Sequence, residues 1–151
     1  MPKVTVTEVV PAPLDAIYRV LSDMQQFPRF MKSVDEIQIL ERGDSWTVSQ
    51  WITRLQGAKF RWIERDTFFP EQGRITFVQT EGDLKTFQGE WRLVEVPEGT
   101  EVTLDTEFEF GIPMLASLLN PVAKLAIREN AREMVRAIGS TAKDATQEGK
   151  A

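Results

Sequence analysis

The 151-residue sequence contains neither histidine nor cysteine. Imidazole bases, catalytic triads, thiolate nucleophiles, disulfides and ordinary zinc sites are therefore closed to it. Chemistry falls to carboxylates, arginine, lysine, the single tyrosine Tyr18, hydroxyls and amides. Arg65 and Glu8 stand out among these. The segment AKFRWIERDTFF, residues 58–69, puts Phe60, Trp62, Glu64, Asp66 and Phe68 on one parity and Arg61, Ile63, Arg65, Thr67 and Phe69 on the other. Both sets mix charge with bulk. If the odd set turns inward, Arg65 enters an apolar face and needs an anion, and Glu8 is the available carboxylate. If it turns outward, the charges form a surface ladder of little energetic weight.

The elements that must position these groups follow from periodicity. KVTVTEVV (3–10) alternates with period two and reads as a strand ended by Pro11 and Pro13. DAIYRVLSDM reads as a short helix with a stripe of Ile17, Val20 and Leu21, and QQFPRFMKSV as a second short helix or turn broken at Pro28. Strands are expected near 34–42, 45–55, 58–69, 74–80, 85–95 and 101–110, joined by short Gly-, Pro- and Asp-bearing turns that imply an antiparallel meander. A helical segment begins at Ile112-Pro113, takes Asn120-Pro121 as a cap followed by proline at the first helical position, and runs to Gly139. One domain is expected over residues 1–145, with 146–151 as a flexible tail. A single sheet with one apolar face needs a cover, and the long amphipathic helix is the large candidate, so a curved sheet wrapped around one helix is expected.

Parity then selects the inner face. Val102, Leu104, Thr106, Phe108 and Phe110 alternate with Thr103, Asp105, Glu107 and Glu109, and the carboxylates must face water. The same rule turns inward Phe87, Gly89, Trp91 and Leu93, then Ile75, Phe77 and Gln79, then Val48, Gln50 and Ile52, and in the first strand Val4, Val6, Glu8 and Val10. This face is rich in rings and carries a polar minority of Glu8, Gln50, Gln79 and, from the helix, Asn130. A few convergent polar groups in an apolar aromatic cleft describe a small-molecule site. The candidate ligand contacts are Phe30, Val48, Gln50, Ile52, Phe77, Gln79, Phe87, Trp91, Phe108, Leu119, Ile127 and Asn130. Phe27-Pro28-Arg29-Phe30-Met31 and Gly111-Ile112-Pro113 are candidate gates, because each joins chain breakers to apolar groups.

A net charge of −5 argues against nucleic acid as a partner. No run of 18 apolar residues is present, so stable membrane insertion is not expected. MPKVTVTEVV lacks a signal peptide's apolar core, which makes the cytoplasm the expected location. No cofactor is implied, and the expected assembly is a monomer or weak homodimer.

The order of these elements resembles a known family. The first strand followed by Ala12-Pro13, Ile17-Tyr18, Asp23 and Phe27-Pro28 resembles the opening of the polyketide cyclase/dehydrase and lipid-transport group of START-like (SRPBCC) domains. Glu81-Gly82-Asp83-Leu84-Lys85 with Gly89-Glu90-Trp91 resembles a segment of its coenzyme Q-binding and ribosome-association toxin branch, although Asp83 stands where that branch usually has proline. The resemblance implies an α+β helix-grip fold: a seven-stranded antiparallel sheet around a long C-terminal helix, two short helices after the first strand, and a deep apolar cavity. It also implies a lipid, quinone or polyketide-like ligand. Phe60 to Arg65 is similar to the aromatic-rich strand of bacterial aromatase/cyclases, whose pocket arginine falls on Arg65; a second arginine of those enzymes is replaced near Gln79. Two functions are thus expected, a carrier of a hydrophobic small molecule or a polyketide aromatase/cyclase-dehydratase. In the second, Arg65 would stabilise an enolate while Glu8 or a water moved protons.

Overall fold

The computed structural model describes residues 3–55, 58–109 and 113–150, with side chains described outside 113–122 and 146–150. Strand β1 (Lys3–Val10) is followed by helix α1 (Leu14–Ser22) and a 3-10 turn over Met24–Arg29. Six strands come next: β2 (Val34–Arg42), β3 (Trp46–Leu55), β4 (Ala58–Phe69), β5 (Arg74–Gly82), β6 (Thr86–Val96) and β7 (Gly99–Glu109). Helix α2 (Pro113–Lys150) completes the chain's described structure. The strands form one antiparallel sheet in the order β1-β7-β6-β5-β4-β3-β2. The expected helix-grip architecture is the observed one.

α2 lies across the inner face and packs on α1, β1, β7 and β3. Its inward stripe of Ile127, Ala131, Val135, Ile138 and Ala142 meets Val4, Val6 and Val10 of β1 and Val102 and Leu104 of β7 in a single core. Two expectations for this helix are corrected. Helical backbone runs from Pro113 as expected but continues straight through Asn120-Pro121, which forms no cap. Gly139 does not end it, and the helix continues to Lys150 through the segment expected to be a tail. A Cβ at position 139 would lie 2.7 Å from a methyl of Val10, so the glycine serves close contact between helix and strand rather than termination.

The sheet's outer face shows why the four best-alternating strands were legible. Asp105 of β7 accepts hydrogen bonds from Thr5 of β1 and from Arg92 of β6, and Arg74 of β5 pairs with Glu90 of β6 at 2.7 Å. Charge satisfies charge across strands in water, leaving the opposite parity for the core.

The parity expected for β3 is reversed. Thr47, Ser49, Trp51 and Thr53 face inward and buried, while Val48, Gln50 and Ile52 lie on the outer face. In β4 the even set, Trp62, Glu64 and Asp66, is the buried one. Arg65 therefore points away from the interior, directly opposite Val48, with its guanidinium carbon 4.5 Å above the Trp46 ring. The physical reason is cross-strand pairing. Ser49 stands opposite Glu64 and Thr47 opposite Asp66, so the hydroxyls of β3 go inside, where both donate to the Asp66 carboxylate of β4.

Candidate ligand cavity

Between α2 and the β3–β7 part of the sheet lies a cavity of about 310 Å³. The sheet contributes rings: Trp51 from β3, Phe60 and Trp62 from β4, Phe77 from β5, and Phe87 and Trp91 from β6. The helix contributes small or thin side chains, Ala123, Ala126, Ile127, Asn130 and Ala131, together with Met134. Met24 and Leu84 close two sides. The space exists because large residues project from one surface only. Bulky rings on a curved sheet stand apart at their tips, and alanines opposite them cannot fill the gap.

The rings are mutually fixed. Trp51 and Trp62, in register across β3 and β4, stack with centroids 5.7 Å apart and planes 12° from parallel. Phe27 meets Trp51 edge-on at 5.9 Å, Phe87 leans on Trp62 at 5.0 Å, and Phe77 lies 5.5 Å from Phe87. Gly89 makes room for this: a Cβ there would sit 2.0 Å from the Asp105 carbonyl oxygen and 2.5 Å from the Phe77 ring. The wide rings spaced by a glycine in TFQGEWRL thus border an open space.

Behind the rings is a buried acidic pair. Glu64 is 3% exposed and lines the cavity; Asp66 is fully buried one pleat further along β4. Asp66 Oδ2 accepts from Ser49 Oγ at 2.7 Å and Thr47 Oγ1 at 3.0 Å, and Ser49 in turn accepts from Trp51 Nε1 at 2.8 Å. Trp62 Nε1 donates to Glu64 Oε1 at 2.7 Å. Burial pushes Glu64 well above the usual carboxylate range, helped by the charge of Asp66 and their shared hydrogen bond. Burial also raises Asp66, against the lowering effect of its hydrogen bonds from Glu64, Ser49 and Thr47. Two carboxylates this close cannot both ionise in such a setting. The hydroxyl donors favour the anion on Asp66, so Glu64 is the more readily protonated of the two. Among the described residues neither carboxylate has an ion-pair partner, and no group of three metal-ligating side chains occurs.

The candidate residues divide accordingly. Phe77, Phe87, Trp91, Ile127 and Asn130 line the cavity. Gln79 sits beside it on the inward parity, its amide donating to the Leu84 carbonyl at 2.6 Å. Phe108 belongs to the closed core, and Phe30 packs against Phe27 at 5.9 Å. Val48, Gln50 and Ile52 are on the other side of the sheet. Leu119 and the gate at Gly111-Ile112-Pro113 fall outside the described side chains, whereas Phe27 and Met31 of the other gate are core residues at 0% and 3% exposure. Glu8 does face inward, but its partners are Arg132 and Arg136 of α2 at 3.7 and 3.3 Å, so it ties strand to helix and does not meet Arg65. Sequence reasoning missed Glu64, Trp51 and Trp62. The available signal was that Trp62, Glu64 and Asp66 share one parity, since a tryptophan of a sheet protein is rarely left to water.

A helix-grip fold with an aromatic cavity defines a class of small-molecule-binding domains, and comparison with known proteins narrows it. A sequence profile for "polyketide cyclase / dehydrase and lipid transport" matches residues 10–135, and the chain belongs to that family. A curated relative, the actinorhodin polyketide synthase bifunctional cyclase/dehydratase of Streptomyces coelicolor, is 28% identical over 115 residues. The match covers 72% of this chain and 36% of that protein, so the chain spans about a third of the relative's length. A solved Thermus thermophilus protein is 28% identical with a TM-score of 0.90, covering 95% of this chain and 99% of its own. An aromatase/cyclase from a Streptomyces species (TM-score 0.86, 20% identity, 94% and 93% covered) has the same fold. So does a START superfamily protein of Mycobacterium smegmatis (0.80, 19%, 95% and 98%). None of these matches singles out the coenzyme Q-binding branch. Among the described residues no helix is long and apolar enough to cross a membrane.

Proposed function

We propose that this chain binds a hydrophobic small molecule, lipid, quinone or polyketide-like, in the cavity under α2, and that planar ring systems suit it best. The observation carrying this reading is the cavity of about 310 Å³ bounded by six aromatic rings on one side and alanines on the other. Apolar surface removed from water contributes roughly 25 cal/mol per Å², and offset or edge-on ring contacts add to it. The test is native mass spectrometry of protein purified from cells, followed by calorimetric titration with apolar probes. A co-purifying apolar molecule, or micromolar binding of planar probes, is expected. Absence of both removes the proposal.

A second reading, a polyketide aromatase/cyclase-dehydratase using the same cavity, is favoured by one observation: Glu64 lines the cavity beside Asp66, where burial pushes its carboxyl well above the usual range. Holding a poly-ketone in one shape supplies the entropic part of such catalysis, and a protonated carboxyl supplies acid. This version assigns nothing to Arg65. Glu64→Gln, which keeps the shape and removes the exchangeable acid, should slow turnover of a poly-β-ketone about a hundredfold with binding retained. Turnover unchanged in that variant sinks the second reading alone.

A further inference from the structure

The polar chemistry of the cavity is inverted from that expected of an arginine-bearing pocket. Its described lining residues include no lysine or arginine, and Thr53, Glu64, Thr106 and Asn130 are its polar side chains. Behind Glu64 the acidic pair has no counter-ion among the described residues, and one Asp66 oxygen, Oδ1, accepts no hydrogen bond other than what Glu64 can give. On the opposite wall, the buried Oδ1 of Asn130 has no partner among the described residues, while its Nδ2 makes only a weak 3.5 Å contact with the Met134 sulfur. The Asn130 amide is thus held by little and can turn its unpaired oxygen toward a donor in the cavity, across from Glu64. Glu64 Oε1 already accepts from Trp62, and Asp66 lies beside its carboxyl. A buried acceptor left unpaired is costly, and a second anion beside an uncompensated one more so.

We propose that the ligand of this cavity carries a hydrogen-bond donor on its polar end, received by the Glu64 carboxyl and the Asn130 amide oxygen, and that ligands ending in a carboxylate are rejected. The inference rests on the cavity being a ligand site. It narrows the ligand from hydrophobic molecules at large to planar apolar bodies bearing a hydroxyl or an ammonium, and it disfavours free fatty acids. The two donor sources share the same acceptors; an ammonium would add attraction to the pair's charge and to the facing indoles.

Isothermal titration of the full chain at neutral pH with naphthalene, naphthol, naphthylmethylamine and naphthoate separates the cases. These probes keep one ring system and change only its polar end. Naphthol or naphthylmethylamine should bind about tenfold tighter than naphthalene, and naphthoate about tenfold weaker. A lead for naphthol identifies a neutral donor, and a lead for the amine identifies charge pairing; each supports the proposal. Glu64→Leu should bring the donor probes within about twofold of naphthalene, whereas Glu64→Gln, which retains an acceptor oxygen, should keep their lead. Circular dichroism reports folding of both; if Glu64→Leu does not fold, Asn130→Leu should halve the donor preference or better. Equal binding of naphthalene and both donor probes, or naphthoate in the lead, overturns the proposal while leaving the cavity a ligand site. If none of the four probes binds, the cavity reading falls and takes this one with it.

Discussion

Helix α2 crosses the sheet in two places with opposite results. Over β1 and β7 its Val135, Ile138 and Ala142 interdigitate with Val4, Val10 and Val102, and Gly139 brings its backbone onto Val10. Over β3 to β6 its Ala123 and Ala126 stand across from Trp51, Phe60, Trp62 and Phe87, leaving about 310 Å³ unfilled. Small helical residues occur in both places, so helix composition does not decide the outcome. What decides it is the sheet. Short β-branched side chains let a small residue approach, and rings keep it away. One half of the interior stabilises the fold, and the other half is kept open by the stability of the first.

That division is exposed to experiment, and the largest effect belongs to the closed half. Ile138→Ala should lower unfolding free energy by about 2–5 kcal/mol in urea titration. Phe87→Ala, which removes a larger side chain but borders existing space, should lose less than half as much. Equal losses at the two sites would erase the distinction. Next comes filling the open half: Ala126→Trp should weaken binding of planar apolar probes by at least about tenfold while changing stability by less than about 1 kcal/mol. A large destabilisation there would mean that the space is already taken.

The acidic pair gives a pH signature of the open half. Glu64 sits above its unfolded value, so the native state holds a proton that the unfolded chain releases. Its stabilising contribution is full below the ordinary carboxylate range and is lost as pH rises through the raised value. Asp105, on the outer face, behaves oppositely: burial raises it, but hydrogen bonds from Thr5 and Arg92 and the Arg92 charge win and lower it. Its contribution is present above the ordinary aspartate value and lost as pH falls through the lowered one. Glu64→Gln should therefore flatten the melting temperature on the alkaline side of the carboxylate range and leave the acid limb in place. The smallest effect is expected of Arg65→Ala, which removes a contact with Trp46 worth less than about 1 kcal/mol and should leave ligand affinity untouched. A loss of affinity would bring Arg65 back to the site.

The same division governed what the sequence disclosed. In β1, β5, β6 and β7 the inner residues are mostly apolar and the outer ones mostly polar or charged, so alternation alone places Phe77, Phe87 and Trp91 on the inner face. In β3 and β4 the interior is partly polar: Thr47 and Ser49 hydrogen-bond Asp66 beside Glu64, while Val48, Ile52 and Ile63 cover the outer face. A rule that sends apolar residues inward must reverse there. Glu64 escaped notice because a carboxylate is normally assigned to water, and only cross-strand register reveals the hydroxyls that make its neighbour's burial tolerable. Gly139 was read as a stop for a related reason. A glycine that ends a helix and one that admits a neighbouring strand look alike until the neighbour is known.

The near-parallel stacking of Trp51 and Trp62 has an optical consequence. Two indoles stacked at this distance couple their strong far-ultraviolet transitions, so the folded protein should show an indole circular dichroism contribution there that free tryptophan lacks. Any molecule sliding against that pair would alter that contribution without a label being attached. The cavity wall is its own spectroscopic probe.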